Sequence, residues 1–154
     1  MPNLLNRRCL TSAALLGFLM VASSVSAQTP WNQSVSKAFA DARKTGRPVV
    51  VFVGTEWCHY CELMQSQTWS HPTIAQAVQR DFITLKLDGD RDQSIVRELG
   101  LQSYPATMVY SPAGQQIARK SGFMPAAETQ QWLAQAKQRW RVAASQPASA
   151  VTAR

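Results

Sequence analysis

The sequence predicts an α/β fold in which a mixed central β-sheet packs between helices. Several segments carry hydrophobic residues at helical spacing, and short runs rich in β-branched residues lie between them. The predicted order is helix, strand, helix, helix, strand, helix, strand, strand, helix, an alternation typical of α/β domains. The 154 residues leave room for one domain and little more.

The individual elements are assigned from hydrophobic spacing and from turn residues at their ends. The apolar run Val49–Val53 is typical of a strand buried on both faces. In chain order the predictions are a helix over 31–45, a strand over 49–53, a helix from the cysteine motif through residue 67, a helix beginning at 72, a strand over 82–87, a helix over 94–99, strands over 105–110 and 116–121, and a helix over 126–141.

Residues 1–27 have the three-part pattern of a secretory signal peptide. Arg7 and Arg8 form the positive region, a mostly apolar stretch follows, and small residues lead to a cleavage site after Ala27. An uncleaved membrane anchor is the alternative, although the apolar stretch is short for a span. The arginine pair also leaves twin-arginine export open. Cleavage would remove Cys9 and leave two cysteines in the mature chain.

The predicted export places the mature protein outside the cytosol, where disulfide bonds persist. We therefore expect a periplasmic protein with one domain over 28–141 and a disordered tail over 142–154, which is rich in Ala, Ser and Pro. The formal net charge is +7, but the basic residues are scattered and match no nucleic-acid-binding motif. We expect no nucleic-acid partner.

The chemistry is predicted at a Cys-x-x-Cys motif placed where the buried strand ends and a helix begins. Cys58 stands at the helix N-terminus, where backbone N–H groups and the helix dipole favour a thiolate. The thiolate attacks a substrate disulfide and forms a mixed disulfide, which Cys61, one turn later, resolves. Cys58 is thus the predicted nucleophile and Cys61 the resolving thiol, and no cofactor is needed beyond this pair.

Other interpretations of the motif fit the sequence less well. A structural zinc site requires four ligands, and besides the two cysteines the candidates are His59, inside the motif, and His71. Cys58, Cys61 and His71 could hold a metal only with one position left open. Haem attachment requires a histidine after the second cysteine, where Glu62 stands. A purely structural bridge would close too small a loop to constrain the unfolded chain. We expect no metal.

A second feature lies far along the sequence, where Tyr104-Pro105 opens the third predicted strand. This proline, the Trp-Cys-x-x-Cys after a hydrophobic strand, and Gly122-Phe123 before the last helix together resemble the thioredoxin superfamily. The similarity runs from about Trp31 to Trp140. It is greater still to the C-terminal thioredoxin-like domain of the transmembrane thiol-disulfide interchange reductases and to small secreted thioredoxin-like proteins.

The resemblance implies a thioredoxin fold, with a mixed sheet of four to five strands flanked by helices. It implies that Pro105 is cis and packs against the cysteine pair, and that Tyr104 offers backbone groups to an extended substrate segment. Trp57 would cover one side of the motif. With His59 and Tyr60, which lie between the cysteines, these residues form the expected substrate-binding set.

Two departures from the thioredoxin pattern affect the chemistry. Phe52 stands where thioredoxins usually carry a buried Asp that assists proton transfer from the resolving thiol. Water, Glu56 or Glu62 would have to serve instead. His59 and Tyr60 replace the usual Gly-Pro pair, and His59 would stabilise the first thiolate and favour an oxidant. The two glutamates would act in the opposite direction.

The leading hypothesis is a periplasmic thiol-disulfide oxidoreductase that reduces an oxidised protein substrate. A membrane electron-transfer protein is the expected recharging partner, because a periplasm holds no suitable thiol pool. The alternatives are a disulfide oxidase or isomerase, and a non-catalytic binding module that presents the groove at Tyr104-Pro105. Isomerases usually dimerise and no dimerisation segment precedes Trp31, so we expect a monomer. A binding module would need neither Cys58 nor Cys61.

Overall fold

A computed structural model describes residues 29–146 of the chain. Within these residues no helix is both long and apolar enough to cross a membrane. The predicted signal peptide and residues 147–154 lie outside the described range. The signal, its cleavage and the end of the tail therefore stay predictions.

The described residues form four strands, five α-helices and one π-helical segment. In chain order they are α1 (Val35–Thr45), β1 (Val49–Gly54), α2 (His59–Leu63), the π-helical segment (Met64–Trp69), α3 (Pro72–Asp81), β2 (Ile83–Asp88), α4 (Gln93–Glu98), β3 (Ala106–Tyr110), β4 (Gln116–Ser121) and α5 (Ala126–Ser145). The predicted order of strands and helices is confirmed.

The four strands form one mixed sheet in the order β2-β1-β3-β4. β1 pairs parallel with β2 and antiparallel with β3, and β3 pairs antiparallel with β4. All six residues of β1 are buried, which agrees with its uninterrupted apolar sequence. The expected mixed sheet is confirmed, with β1 inside it and its C-terminal end leading into the cysteine motif.

Two hydrophobic cores cover the two faces of the sheet, and alternate residues of β1 contribute to each. On one face, Phe52 packs with side chains from the π-helical segment, α3 and α5, and this core includes both cysteines. On the other face, Val51 packs with residues of α1, α4 and β2. The cysteine pair is thus part of a packed core and lies at its edge.

Two helix boundaries differ from the prediction. The first helix begins at Val35 and not at residue 31, because the Ser34 hydroxyl caps it by accepting the N–H of Lys37 at 3.3 Å. The residues before it run beside β2. The last helix continues past residue 141 to Ser145, so residues 142–145, which the prediction placed in the disordered tail, are helical. Ala143 and Ala144 favour a helix, and the chain becomes extended at Gln146, the residue before Pro147.

Candidate active site

The cysteine pair lies at the junction that the sequence predicts. Cys58 has extended backbone angles and caps the N-terminus of α2, and its carbonyl accepts the N–H groups of Cys61 at 2.9 Å and Glu62 at 3.1 Å. The Cys58 Sγ accepts the N–H of Cys61 at 3.2 Å. A sulfur in this position is stabilised as a thiolate by the helix N-terminus.

Cys58 and Cys61 form a disulfide with their Cα atoms 5.2 Å apart, a separation common among disulfides. Both are largely buried, with 8% of Cys58 and 5% of Cys61 exposed. Cys61 faces inward and packs against Gly54: a Cβ added to Gly54 would lie 3.1 Å from both the Cβ and the Sγ of Cys61. Cys61 therefore packs on the end of β1, and Cys58 occupies the helix cap.

Trp57 lies beside the motif as an exposed side chain held by two contacts. It is 71% exposed, its Nε1 donates to Asp90 Oδ2 at 2.9 Å, and its ring meets the edge of Tyr104 with centroids 6.2 Å apart. The Tyr104 ring in turn lies on the backbone of Gly89, where a Cβ would come within 2.5 Å of it. The turn after β2 thus holds both aromatic side chains.

The sequence does not single out Asp90 or Gly89 as site residues. Their Asp-Gly-Asp sequence identifies a turn, but Asp90 contacts a tryptophan 33 positions earlier. Only the parallel register of β1 and β2, in which Gly54 lies opposite Asp88, brings these segments together.

Pro105 follows a cis peptide bond, as the resemblance to thioredoxins implies. It is buried at the start of β3, and its carbonyl accepts the N–H of Gly122 at 2.8 Å. This bond joins the proline to the loop that carries Phe123. The Phe123 ring lies 6.4 Å from that of Tyr60, which is 60% exposed. Aromatic side chains therefore stand on two sides of the cysteine motif.

His59 is exposed at the first position of α2, and its ring lies 5.8 Å from the ring of Tyr60. Among the described residues no hydrogen bond joins His59 to Cys58. The stabilisation of the first thiolate by His59 therefore stays a prediction.

Phe52 occupies the position where thioredoxins usually carry a buried Asp, and it packs against two tryptophan rings. It is buried, and its ring centroid lies 5.9 Å from that of Trp31 and 5.7 Å from that of Trp69. Trp31 and Trp69 meet edge to face at 5.1 Å. Both tryptophans are therefore packing residues of this core, and the side chain at position 52 offers no proton acceptor.

A cavity of about 650 Å³ lies beside Cys61. Phe52, Gly54 and Cys61 contribute apolar surface to its wall. The charged residues that line it are Glu56, Glu62, Lys86, Asp88 and Arg91. Both glutamates predicted as proton acceptors thus border the space next to the resolving cysteine. Two further wall atoms, Thr55 Oγ1 and Gln65 Oε1, are buried without a hydrogen-bond partner among the described residues.

The helix after the motif changes to π-helical geometry, which the sequence does not predict. The Ser70 N–H donates to the Gln65 carbonyl at 3.2 Å, and the Thr68 hydroxyl donates to the Met124 carbonyl at 2.7 Å. The second bond joins the helix behind the cysteines to the loop that carries Phe123. Single π-helical turns are frequent at functional sites.

His71 does not complete a metal site with the cysteines. It stands at the N-cap of α3, beyond the π-helical segment. Across residues 29–146 no three His, Cys, Asp or Glu side chains are grouped closely enough to hold a metal ion.

Comparison with known proteins agrees with this architecture. The family model of the thioredoxin-like domain matches residues 35–137. The thioredoxin of Thermus thermophilus aligns with a TM-score of 0.69 at 24% identity, covering 77% of this chain and 95% of that one.

Two curated relatives match parts of the sequence. The thiol:disulfide interchange protein DsbD of Ralstonia nicotianae is 30% identical over 94 residues, which are 58% of this chain and 15% of that protein. Human spermatogenesis-associated protein 20 is 34% identical over 59 residues, 38% of this chain and 7% of that protein. The chain thus spans only a small part of either relative.

The resemblance that the sequence predicts is therefore confirmed at three levels. The family model covers most of the chain, and the sheet order and the helix-capping cysteine pair agree with this family. A thioredoxin aligns over 95% of its own length and 77% of this chain. The chain belongs to the thioredoxin-like domain family.

Proposed function

We propose that this protein is a thiol-disulfide oxidoreductase that reduces disulfide bonds of proteins in the periplasm. The observation that carries the proposal is the asymmetry of the cysteine pair. Cys58 Sγ lies at the N-terminus of α2, whereas Cys61 packs against Gly54 at the end of β1. One sulfur is thus placed to attack a partner and the other to attack the resulting bond.

The reaction transfers two electrons in two exchanges. The Cys58 thiolate attacks one sulfur of the substrate disulfide, the S–S bond breaks, and the other substrate sulfur leaves as a thiolate. Cys61 then loses its proton and attacks Cys58 Sγ, and the second substrate sulfur leaves with the electron pair. Both leaving thiolates take up protons from solvent. The enzyme ends as the disulfide and the substrate as two thiols.

The surface around the motif favours an extended protein segment as substrate. Of the described large hydrophobic side chains, Trp57 and Tyr60 are among the most exposed, and they flank the cysteines. Exposed aromatic side chains bury large areas when they bind a partner. Apolar residues beside the substrate cysteine would therefore strengthen docking at this surface.

The oxidised pair must be reduced again after each turnover. The 30% identity to the thiol:disulfide interchange protein DsbD over 94 residues supports a thiol-disulfide redox protein as the partner that reduces the pair, and we propose that this partner is a membrane electron-transfer protein. The predicted signal peptide supports a periplasmic location. A disulfide oxidase would use the same cysteines in the opposite direction, so the reduction potential distinguishes the two functions.

The test measures that potential in the full chain with Cys9→Ser, equilibrated in graded dithiol buffers and analysed by alkylation. We expect a value near about −270 mV, that of a reductase. A value near about −120 mV would instead support an oxidase, and the absence of a reversible couple would support a binding module. In the same background, Cys61→Ser should trap substrates as mixed disulfides, and Cys58→Ser, the matched control, should trap none.

A further inference from the structure

The carboxylates of this chain are divided between ion pairs and the surroundings of the cysteine motif. The sequence has nine acidic residues, and all of them lie within residues 29–146. Four form ion pairs with basic side chains, namely Asp41, Asp81, Asp92 and Glu128. In the described part of the chain the other acidic residues form none, and all but Glu98 border the motif or its tryptophan, namely Glu56, Glu62, Asp88 and Asp90. The unpaired negative charge is therefore concentrated at the motif.

Three of these carboxylates form an acidic rim, which we define as Glu56, Glu62 and Asp90. All three residues are exposed. Glu56 and Glu62 line the cavity beside Cys61, and Asp90 accepts the Nε1–H of Trp57 at 2.9 Å. The acidic rim thus follows the motif from the side of its tryptophan to the side of its second cysteine.

The two cations of the cavity wall have carboxylate neighbours of their own. Arg91 lies 3.6 Å from the carboxylate of Asp92. Lys86 is half-buried and stands two residues before Asp88 in β2, so these two side chains leave the sheet on the same face. Within residues 29–146 neither cation forms an ion pair with the acidic rim. The exposed charge around the motif is therefore negative, although the formal net charge of the sequence is +7.

Basic residues collect at the opposite edge of the sheet. Arg43 and Lys44 lie in the last turn of α1, which leads to the start of β1, and Arg80 lies in the last turn of α3, which leads to the start of β2. Because β1 and β2 are parallel, their starts share one edge, and the motif lies beyond the other. A strand of this length separates the two edges by about 17 Å, which is roughly twice the Debye length of about 8 Å at physiological ionic strength. A partner at the motif is therefore attracted or repelled mainly by the acidic rim.

The cavity wall also contains oxygen atoms that lack a hydrogen-bond donor. Gln65 Oε1 and Thr55 Oγ1 are buried without a partner among the described residues, and Thr55 is only 7% exposed. Buried polar atoms are normally bonded. The amide oxygen of Gln65 can only accept, as can the carboxylates of Glu56 and Glu62 when they are ionised. The cavity therefore matches a cationic group with several N–H donors, such as a guanidinium.

We propose that the acidic rim and this cavity select protein substrates that carry an arginine or a lysine beside the reactive cysteine. The inference rests on the proposed function, because it names the class of disulfide that this reaction consumes. With the substrate sulfur at Cys58, the neighbouring basic side chain lies within reach of Glu56 and Glu62, which stand directly before and after the motif. Hydrogen bonds to a charged group are about twice as strong as neutral ones. The same carboxylates repel substrates that are acidic at this place, which adds to the specificity.

The experiment follows the first exchange alone, in the full chain carrying Cys9→Ser and Cys61→Ser. Three short peptides are compared, each with one cysteine activated by a neutral 2-thiopyridyl group and flanked by arginine, glutamine or glutamate on both sides. Cys58 Sγ bonds to the peptide sulfur, and the thiopyridyl sulfur leaves with the electron pair, takes up a proton and absorbs as pyridine-2-thione. Each rate is divided by that of 2-mercaptoethanol with the same peptide, which removes the reactivity of the peptide itself.

We expect the arginine peptide to react about tenfold faster than the glutamate peptide at about 0.15 M salt, and less than about twofold faster at about 1 M salt. Glu56→Gln with Glu62→Gln should reduce the preference to about threefold, since Asp88 and Asp90 remain. Any effect of these substitutions on Cys58 itself acts on all three peptides alike and cancels in the ratio.

Asp41→Asn with Glu98→Gln is the matched control, because it removes the same charge from carboxylates outside the cavity wall and should leave the preference unchanged. Circular dichroism checks the folding of both double variants. Equal rates for the arginine and glutamate peptides would overturn the proposal. So would a preference that persists at about 1 M salt, one that survives undiminished in Glu56→Gln with Glu62→Gln, or one that is lost equally in the control.

This readout requires neither turnover nor a reversible couple, so it separates the inference from the proposed function. A preference for arginine in a chain without a reversible couple would reject the proposed function and keep the inference. Equal rates in a chain with a potential near about −270 mV would keep the proposed function and reject the inference.

Discussion

Gly54 and Cys61 are in close contact: a Cβ on Gly54 would lie 3.1 Å from both the Cβ and the Sγ of Cys61. Gly54 is the last residue of the buried strand, and Cys61 lies in the first turn of the helix that follows. The missing side chain lets the helix approach the end of the sheet. The inward position of the resolving cysteine therefore depends on a glycine three residues before the motif's tryptophan.

Gly54→Ala tests this close approach. Because the contact is already tight, the helix or the Cys61 side chain must move, and we expect the oxidised protein to lose about 1–3 kcal/mol of unfolding free energy. Disulfide reduction per folded molecule should also fall. Urea unfolding and an insulin-reduction assay measure the two effects. Gly114→Ala is the control: no atom lies within 4 Å of a Cβ there, so only the backbone cost of its φ of 88° applies and activity should be unchanged.

Gly89→Ala should damage the aromatic side of the site. The new Cβ would lie 2.5 Å from the Tyr104 ring and 2.8 Å from Thr55 Cγ2. The ring must therefore leave its place beside Trp57. We expect a loss of about 1–3 kcal/mol in stability and a raised KM for a protein disulfide. A normal KM in a variant whose crystal structure shows Tyr104 displaced would mean that the ring has no role in docking. An unmoved ring would contradict the predicted displacement.

Asp90→Ala should free the Trp57 side chain without unfolding the protein. It removes the carboxylate that accepts from Trp57 Nε1 at 2.9 Å, and the pair is exposed, so stability should change by less than about 1 kcal/mol. A freely rotating tryptophan loses entropy when a substrate binds, and we expect KM for a protein substrate to rise about threefold. Reduction of a small disulfide should be unaffected. Glu98→Ala removes an exposed carboxylate of α4 and is the control: it should change neither KM for the protein substrate nor the reduction of the small disulfide.

The sequence identified the elements of the fold because each has a strong local signal. β1 is a run of apolar residues, and Gly46 and Pro48 end the helix before it. The error at the first helix arose because Trp31 extends the apolar spacing, whereas the structure uses Ser34 as the cap. Trp31 packs instead against Phe52. Tertiary packing decided that boundary.

The site residues that the sequence did not identify are those defined by strand register. Gly54 lies opposite Asp88, and Phe52 lies opposite Lys86, because β1 and β2 pair in parallel. No local pattern fixes this register, since every residue of β1 is buried and a shift would not expose a polar group. The cysteines could be predicted because the motif that carries the chemistry spans only four residues and stands where a buried strand ends and a helix begins.

Phe52 should contribute more to stability than Phe39, a partly buried aromatic residue on the other face of the sheet. It contacts two tryptophans under the motif and is fully buried. We expect Phe52→Leu to cost about 1–2 kcal/mol and Phe52→Ala about 3–5 kcal/mol, measured by urea unfolding. Phe39 of α1 is only partly buried and meets a single ring at 6.2 Å, so Phe39→Ala should cost less. Equal costs at the two sites would contradict a central role for the aromatic cluster.

Asp81 should make stability depend on pH in the acid range. Hydrogen bonds from Arg80 at 2.9 Å, more than those from Lys137 at 2.6 Å, lower the pKa of Asp81, although its partial burial opposes this shift. A lowered pKa means that the charged form is favoured by folding. Its stabilisation is therefore present above the unfolded value of about 3.9 and is lost as the pH falls through the lower folded value.

Asp81→Asn should reveal the size of this effect. Because Arg80 is 72% exposed, solvent screens the pair, and we expect the substitution to cost only about 0.5 kcal/mol at pH 7. The difference from wild type should shrink as the pH falls below about 3.9 and should vanish only once the pH is well below the lowered folded pKa, where both proteins carry a neutral side chain at this position. Urea unfolding from pH 2 to pH 8 measures it. A difference that persisted undiminished at the lowest pH would mean that Asp81 joins α3 to Lys137 of α5 through packing or neutral hydrogen bonds and not through its charge.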